Sequence, residues 1–194
     1  MTVLQGKRVR LETLTLDHVP DLWRHTGNDE EIWKWVLVKF PIPKSEEELK
    51  ELVKIMIEEV AEGYRQPWAV IDLISNECVG STSYLDLQMD RKMLEIGSTF
   101  YGKSARKTAI NTETKFLLLS EAFDARGYER VQFKADNLNV NSLQAIERIG
   151  AKKEGVLRNH FTRRDGTRRD TVIYSIIRSE WPQVASHLKR LLSK

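Results

Sequence analysis

The chain has 194 residues, of which 41% are hydrophobic and 30% are charged, and its formal net charge is +3. This length and composition predict one globular domain over residues 1–194 and exclude a disordered chain. The small net charge gives no general attraction to polyanions, so we expect no direct binding of nucleic acid.

Cysteine content and hydropathy bear on where the protein works. The single cysteine, Cys78, excludes an internal disulfide. The first residues do not form an apolar leader, and no run approaches the roughly 20 apolar residues of a membrane span. We therefore predict a cytoplasmic protein that does not cross a membrane.

The first half of the chain predicts helices followed by a meander of strands. The elements are a strand at residues 7–14, a short helix at 17–24, an irregular segment or short helix at 28–43, a helix at 45–63, and strands at 68–73, 78–87 and 93–100. The helix prediction at 45–63 is supported by a capping box of Ser45 and Glu48. The last three strands are close enough in sequence to pair antiparallel.

The second half alternates strands and helices. The elements are a helix at residues 112–123 that stops before Gly127, a strand at 130–135, a helix at 142–149 that stops at Gly150, strands at 156–162 and 171–177, and a helix capped by Ser179 that ends near Leu192. Asp165-Gly166 predicts a hairpin turn between the last two strands. The whole pattern is that of a mixed α/β domain.

Gly97 to Ser104 match G-x-x-x-x-G-K-[ST], the pattern of a nucleotide-binding loop, and a P-loop-type NTPase is one open interpretation. The context argues against it, because such a loop normally follows a fully buried parallel strand, whereas residues 92–96 alternate in polarity. Phe100 and Tyr101 are also bulky where the backbone would wrap a phosphate. A charged turn without a ligand is a further alternative.

The segment from Lys103 to Asn111 is basic and leads into the predicted start of a helix. Free backbone N–H groups and the positive end of the helix dipole favour anions at such a position. Arg106 and Lys107 add full positive charges. We therefore expect a ligand that carries phosphate groups.

Two further runs are typical of a known family. One is Asn139-Val-Asn-Ser142-Leu-Gln-Ala-Ile-Glu147-Arg148-Ile-Gly150-Ala151, followed by Glu154-Gly155, and the other is the tail from Asp165 to Ser175 with Glu180-Trp181. With these motifs, nearly the whole chain resembles the GNAT superfamily of N-acetyltransferases. Within it, the chain resembles the RimJ/RimL-like branch, whose named members acetylate the N-termini of ribosomal proteins.

The resemblance implies a mixed, mostly antiparallel central sheet with flanking helices, in which a pair of parallel strands splays apart to admit acetyl-CoA. The pantetheine arm would pair with the edge of the splayed strand, at Ile96, Gly97, Ser98, Thr99 and Phe100. The pyrophosphate would bind at Arg106, Lys107, Thr108, Ala109 and Asn111, although Arg-Lys-Thr-Ala replaces the usual glycine-rich loop. Further cofactor positions implied by the motif are Asn139, Ser142 and Arg148.

Amide formation needs a neutral amine, a polarised thioester carbonyl and a proton for the departing thiolate. Glu95, on the strand that enters the cleft, is the candidate general base, and a solvent-facing carboxylate is the alternative. Ile146 stands where many family members have a tyrosine acid. By the resemblance, Ser142 occupies the serine position that the Rim-type branch presents near the cofactor sulfur. It is the candidate for the thiolate's proton or hydrogen bond, with capping or packing as its alternative role.

Aromatic, basic, cysteine and histidine side chains are the remaining candidates for acceptor contact or metal binding. Trp33, Trp35 and Trp68 are candidates for substrate contact, with packing in the core as the alternative. The hairpin arginines are most simply a solvated turn, or a surface for an acidic partner; they are Arg163, Arg164, Arg168 and Arg169. Cys78 is expected to be a buried structural thiol, and the four histidines lack metal-binding spacing, so we predict no metal.

The expected activity is transfer of an acetyl group from acetyl-CoA to a primary amine, by direct attack in a ternary complex. The expected acceptor is a protein N-terminus or a small amine. The resemblance leaves both open, because acceptor loops differ among proteins that share one cofactor half. A homodimer is compatible with the resemblance. A CoA-binding module without catalytic activity stays open beside the NTPase alternative.

Overall fold

The computed structural model describes residues 3–27, 29–36, 40–61 and 63–193, and these form one mixed eight-stranded sheet in the order β1-β2-β3-β4-β5-β6-β8-β7. The strands are β1 (Leu4–Gln5), β2 (Val9–Thr13), β3 (Arg65–Asp72), β4 (Glu77–Gln88), β5 (Met93–Tyr101), β6 (Arg130–Asp136), β7 (Lys152–Thr162) and β8 (Arg168–Ile177). Neighbouring strands are antiparallel, except that β5 and β6 run parallel. The predicted fold class is confirmed.

Helices cover both faces of this sheet. They are α1 (Val19–Thr26), α2 (Glu30–Trp35), α3 (Glu46–Ala61), α4 (Ala109–Ser120), α5 (Val140–Arg148) and α6 (Trp181–Leu192). One hydrophobic core joins α1, α2 and α3 to one face of the sheet, and a second core joins α4 and α6 to the opposite face. A π-helical turn at Glu121–Ala125 continues α4 before Gly127, whose φ is +70°.

The period of two in the meander explains how one strand serves both cores. In β3, Trp68 and Val70 lie in the core beneath α4, whereas Ala69 and Ile71 lie in the core beneath α1 and α3. Successive side chains of a strand point to opposite faces, so a strand that is apolar at every position must be covered on both sides. This places β3, β4 and β5 in the middle of the molecule.

The residues that cap α3 and α6 differ in part from those predicted from the sequence. The hydroxyl of Ser45 accepts the N–H of Glu48 at 3.2 Å, but the Glu48 carboxylate accepts the N–H of Lys44 at 2.8 Å rather than that of Ser45. The predicted Ser179 cap is wrong: Glu180 is the residue before α6, and its carboxylate accepts the N–H of Ile177 at 3.2 Å. Residues 28, 37–39 and 62 of the predicted segments lie outside the described residues.

The parallel pair stays together for three residues only. Met93, Leu94 and Glu95 of β5 pair with Arg130, Val131 and Gln132 of β6. Beyond that point, β5 continues to pair with β4, and β6 continues to pair with β8. The two strands therefore diverge, and the sheet opens between residues 96–101 of β5 and residues 133–136 of β6. We call this opening the wedge.

Candidate functional site

The wedge exposes the backbone edges of two strands inside a sheet that is otherwise continuous. In the described part of the chain, no ladder pair joins β5 to β6 after Glu95 and Gln132. Backbone N–H and C=O groups need hydrogen-bond partners, and an extended ligand can supply them by adding to a strand edge. The predicted pantetheine segment, Ile96 to Phe100, lies along this edge. The expected splaying of the parallel strands is thus observed.

A β-bulge re-aims the β5 edge within the wedge. Ser81 pairs with Phe100 and Ser83 pairs with Gly97, so Thr82 of β4 faces two residues of β5, Ser98 and Thr99. Ser98 has φ +47°, in the left-handed region. A bulge releases backbone groups from the ladder and bends its strand, so these groups point elsewhere than toward β4.

Both helices that follow the diverging strands begin at the wide end of the wedge. β5 leads through a short loop into α4, and β6 leads almost directly into α5. Neither helix has an acidic residue in its first turn. The first four N–H groups of a helix have no partner within it, so each start is a binding position for an anion.

The loop before α4 is ordered by its own side chains. Thr108 caps the helix, with its hydroxyl accepting the N–H of Ile110 at 3.2 Å and donating to the Ala105 carbonyl at 2.7 Å. Lys107 is exposed and has φ +58°, a conformation that glycine adopts more readily. Although the loop contains no glycine between residues 103 and 111, Lys107 takes a left-handed backbone conformation that glycine usually supplies. Ala109 and Asn111 lie in the first turn of α4.

Arg106 makes contacts within the protein that the sequence did not predict. Its Nε donates to the carbonyl of Tyr101 at 2.9 Å, and its guanidinium forms an ion pair with the buried carboxylate of Asp29. The pair links the loop to the segment just before α2. A role for Arg106 in pyrophosphate binding stays a prediction, with Lys107 as the more exposed cation.

The GKS motif does not adopt the arrangement of a nucleotide-binding loop. Lys103 and Ser104 lie in a 3₁₀ turn, and α4 begins only at Ala109. A Cβ at Gly102 would lie 2.8 Å from the Cβ and from the carbonyl oxygen of His25, so this glycine permits the close approach of α1. The glycine and lysine of the motif thus have packing and surface roles here.

The start of α5 presents Asn139 and Ser142 to the same end of the wedge. The side-chain oxygen of Asn139 accepts the N–H of Ser142 at 3.2 Å, which makes Asn139 the cap. The alternative capping role therefore belongs to Asn139, and the Ser142 side chain is half-buried. At the other end of α5, Arg148 donates to the Thr112 hydroxyl of α4 at 2.8 Å, which ties the two helices together.

Glu95 lies where β5 and β6 begin to separate. It is 8% exposed, so the alternative of a solvent-facing strand carboxylate is wrong. Its Oε2 is 2.7 Å from the Nζ of Lys134 on β6. Its Oε1 lies over Gly97, where an added Cβ would come within 2.9 Å of that oxygen. One carboxylate oxygen is thus held by a cation, and the other is directed along the wedge edge.

The structure corrects the role predicted for two of the three tryptophans. Trp33 and Trp68 are fully buried: the Trp33 ring packs 5.0 Å from Phe100 between ring centres, and the Trp68 ring packs 6.0 Å from Tyr84. Buried side chains of this kind hold the core and cannot touch an acceptor directly. Trp35 is partly exposed, and its Nε1 donates to Glu31 at 3.2 Å.

Sequence reasoning missed the residues that surround Glu95. Lys134 is its partner, and His160 of β7 lies near enough that burial, followed by the charges of Lys134 and Arg169, lowers the pKa of its imidazole. No pattern in the sequence links residues 95, 134 and 160. They meet because β5, β6 and β8 are neighbours in the sheet and β7 pairs with β8.

The hairpin arginines are not a solvated turn. Arg163 forms two hydrogen bonds with Asp136, at 2.7 and 2.8 Å, and Arg169 lies 5.7 Å above the ring of Phe161. Arg168 donates to the hydroxyl of Thr162 at 2.9 Å. These contacts hold the β7–β8 hairpin on itself and on the end of β6.

Arg164 connects this hairpin to the segment that includes α2 by hydrogen bonds to backbone carbonyls. It donates to the carbonyl of Phe40 at 2.9 Å and to that of Val36 at 3.1 Å, and it also bonds to the carbonyl of Trp33. Three backbone acceptors from one short stretch are thus held by one guanidinium. The α2 segment lies on the same face of the sheet as Glu95, so this contact fixes the wall on that side of the wedge.

Other features carry no site in the described residues. Burial raises the pKa of the Cys78 thiol to about 12, and its Sγ lies 3.4 Å from the Gly80 carbonyl, as expected for a structural thiol. Within the described ranges, no cluster of three His, Cys, Asp or Glu side chains has a metal-binding arrangement. No described helix is long and apolar enough to cross a membrane.

The chain is similar in sequence and in fold to known acetyltransferases. Residues 8–152, well over half of the chain, match the acetyltransferase (GNAT) domain family. A GCN5-related N-acetyltransferase from Brucella melitensis is 27% identical and has a TM-score of 0.89, over 97% of this chain and 84% of that one. A candidate acetyltransferase from T. thermophilus is 36% identical, with a TM-score of 0.88 over 99% and 97% of the two chains.

A third likeness concerns the fold alone. RimJ of Mycobacterium smegmatis, solved in complex with CoA-disulfide, is 18% identical and has a TM-score of 0.83, over 98% of this chain and 94% of that one. No curated protein sequence matches the chain significantly. The likeness to RimJ therefore shows a shared fold.

Proposed function

Because the chain belongs to the GNAT family and is therefore an N-acetyltransferase, we propose that it transfers the acetyl group of acetyl-CoA to a primary amine by direct attack within a ternary complex. The observation that carries the proposal is the wedge, where a bulged strand edge and the starts of two helices converge. The strand edge suits the amide-bearing pantetheine arm. The helix starts suit its phosphates.

The residues of the wedge divide the work of amide formation. Backbone N–H groups of the bulged strand polarise the thioester carbonyl without any special side chain. The Oε1 of Glu95 takes a proton from the incoming ammonium, directly or through a water molecule, and the freed amine attacks the carbonyl carbon. A C–N bond forms and the C–S bond breaks. The hydroxyl of Ser142 donates a hydrogen bond or a proton to the departing thiolate. The second proton that the nitrogen loses as the amide forms protonates the thiolate or restores the Ser142 hydroxyl.

The acceptor approaches from the face that carries Glu95. This face is walled by α2 and by the β7–β8 hairpin, which Arg164 joins. We propose a primary amine of either a protein N-terminus or a small molecule. The sequence motifs resemble a branch whose named members acetylate protein N-termini, so an N-terminal peptide is the first acceptor to try.

The cofactor half of this proposal is tested by titration calorimetry with acetyl-CoA, alongside ATP with magnesium. We expect micromolar binding of acetyl-CoA and none of ATP. Lys107→Ala should weaken acetyl-CoA binding about three- to tenfold, because it removes one exposed charge near the pyrophosphate. Lys153→Ala, an exposed lysine of β7, is the matched control and should bind as the unaltered protein does.

Arg106→Ala separates two roles that the structure assigns to the loop. This variant also loses the ion pair with Asp29, so its melting temperature must be measured beside its affinity. A loss of affinity without a loss of folding supports a direct phosphate contact. Binding of ATP with magnesium, and not of acetyl-CoA, would overturn the acetyltransferase proposal and restore the GKS motif as the functional signal.

A further inference from the structure

A buried lysine lies directly beneath the bulge of the wedge strand. Lys115, on the second turn of α4, is 6% exposed, and its Nζ is 2.8 Å from the hydroxyl of Thr99 and 3.3 Å from that of Thr82. The two hydroxyls are 2.7 Å from each other. These three polar side chains form one closed cluster, which we call the Lys115 cluster.

The position of this cluster is specific to the bulge. Thr82 is the single residue of β4 that faces the two bulged residues of β5, and Thr99 is the second of those two. Their hydroxyls meet across the irregularity, and the lysine bridges both from the helix side. The cluster therefore fastens the bulge at the three elements that surround it, β4, β5 and α4.

A buried lysine at this position is expected to lower the free energy of unfolding. Its only described partners are neutral hydroxyls, and burial alone lowers the pKa of its amine to about 7. A buried cation without a carboxylate costs stability, and replacement of such groups by apolar side chains is often neutral or stabilising. Packing between α4 and the sheet would be served as well by methionine. A residue that the fold alone does not require is a candidate for function.

The direction of the hydrogen bonds connects the lysine to the backbone of the wedge. The Nζ of Lys115 donates to both hydroxyl oxygens, so each hydroxyl proton is available for another acceptor. The Thr99 hydroxyl is 3.5 Å from the carbonyl of Gly97, and the Thr82 hydroxyl is then left to donate to Thr99. Gly97 and Ser98 share that peptide unit. Since the peptide is trans, the Ser98 N–H points away from the cluster.

This arrangement leads to an inference that rests on the proposed acetyl transfer. We propose that Lys115 is a positioning residue for the reaction, which holds the bulge of β5 and polarises the Gly97–Ser98 peptide so that the wedge strand donates effectively to the thioester oxygen. Chains of hydrogen bonds strengthen one another in a low-dielectric interior. At pH values below about 7, where the amine is protonated, its positive charge beneath the strand also favours negative charge that develops above it.

Lys115→Met tests this inference, because it keeps the length of the side chain and removes its charge. We expect kcat with an amine acceptor to fall about 10- to 100-fold, as for the loss of part of an oxyanion site. The Kd for acetyl-CoA should stay within about twofold, because uniform binding is not affected. The melting temperature should be unchanged or higher. A residue with a purely structural role would give the reverse pattern.

Thr82→Val provides a second variant, outside the wedge strand, in case Lys115→Met folds poorly. It removes one anchor of the lysine and should lower kcat in the same direction by a smaller factor. Lys153→Met, an exposed lysine of β7, should leave kcat unchanged. The readout is thiol release from acetyl-CoA with a panel of N-terminal peptides and small amines, beside calorimetry and thermal unfolding of the same samples.

The outcomes separate this inference from the proposed function. If the unaltered protein turns over and both cluster variants keep its kcat, or lose kcat only in proportion to folded protein, the positioning role is overturned. If the unaltered protein binds acetyl-CoA but acetylates no amine in the panel, the proposed function itself is overturned, and the inference falls with it. A fall in kcat at unchanged affinity and folding supports both.

Discussion

The two carboxylate oxygens of Glu95 have different surroundings. Lys134 forms an ion pair with one of them, and the other lies over Gly97. Glu95→Gln keeps the shape of the side chain and removes its basicity. We predict that kcat with an amine falls about 10²- to 10⁴-fold, the usual contribution of a general base, whereas calorimetric binding of acetyl-CoA is retained. Steady-state kinetics over a range of pH measure this.

Lys134→Met is the companion variant to Glu95→Gln. It removes the cation and leaves the carboxylate in place, so activity should be retained at least in part if Glu95 is the base. A loss of activity in Lys134→Met as large as that in Glu95→Gln would mean that the pair acts as a strut between β5 and β6. Full activity of Glu95→Gln would remove Glu95 from the mechanism.

Lys115 predicts a pH dependence of folding stability. Its ordinary pKa is 10.5 and burial lowers it to about 7, so between these values the unfolded chain binds a proton that the folded chain lacks. The free energy of unfolding should therefore gain up to about 1.4 kcal/mol per pH unit from this group as the pH rises from about 7 toward 10.5. The stability gained above pH 7 is lost again as the pH falls back through the folded-state pKa of about 7.

Chemical denaturation of the unaltered protein and of Lys115→Met across that pH window isolates the effect. Cys78 titrates in the opposite sense, because its thiol keeps its proton in the folded state, but it is common to both proteins and cancels in their difference. Parallel stability curves for the two proteins would contradict a lowered pKa for Lys115.

At the scale of elements, the β7–β8 hairpin and the α2 segment are joined through Arg164, whose guanidinium binds three backbone carbonyls. Arg164→Ala should loosen the wall on the Glu95 face of the wedge. We predict a rise of about three- to thirtyfold in KM for the amine acceptor, with the Kd for acetyl-CoA unchanged, because the cofactor edge does not touch this contact.

Arg168→Ala is the matched control, since Arg168 belongs to the same hairpin and bonds within it to Thr162. Its effect on the acceptor KM should be small. If Arg164→Ala instead weakens acetyl-CoA binding and leaves the acceptor KM unchanged, the assignment of this face to the acceptor is wrong.

The elements themselves were largely predictable from the sequence. Strand-like runs separated by short polar segments identified the meander of β3, β4 and β5. The glycines at 127 and 150 mark predicted helix ends and Gly166 marks the predicted hairpin turn, each with a positive φ. The start of α4 was missed by three residues, because Thr108 caps it before the apolar pattern begins. Ser179 was mistaken for a cap, because a 3₁₀ turn precedes α6 and moves its start to Trp181.

At the scale of the molecule, the site depends on strand order, which local patterns do not encode. Glu95 and Lys134 come together only because β5 and β6 are parallel neighbours for three residues. The packing of the tryptophans was likewise not predictable from the sequence, because no local pattern indicates that Trp33 contacts Phe100. The splayed fold was expected through the resemblance of two motifs to a family, and not from periodicity or spacing.

The same topology leaves room on one sheet for the two ligands of the proposed reaction. β5 offers its bulged edge to the wedge, while the α1–α3 face and the α4–α6 face keep separate cores. A cofactor bound along the edge and at the helix starts leaves the Glu95 face for the acceptor. This arrangement is the reason why we propose a ternary complex rather than a relay through a covalent acyl-enzyme.

The central claim is most directly tested by initial rates of thiol release from acetyl-CoA, measured while acetyl-CoA and an N-terminal peptide or small amine are both varied. Direct attack in a ternary complex predicts amine-dependent release and double-reciprocal lines that intersect. Parallel lines would contradict it by indicating an acetyl-enzyme intermediate. Release that no amine accelerates, from a protein that binds acetyl-CoA tightly, would leave a CoA-binding module in place of the proposed enzyme.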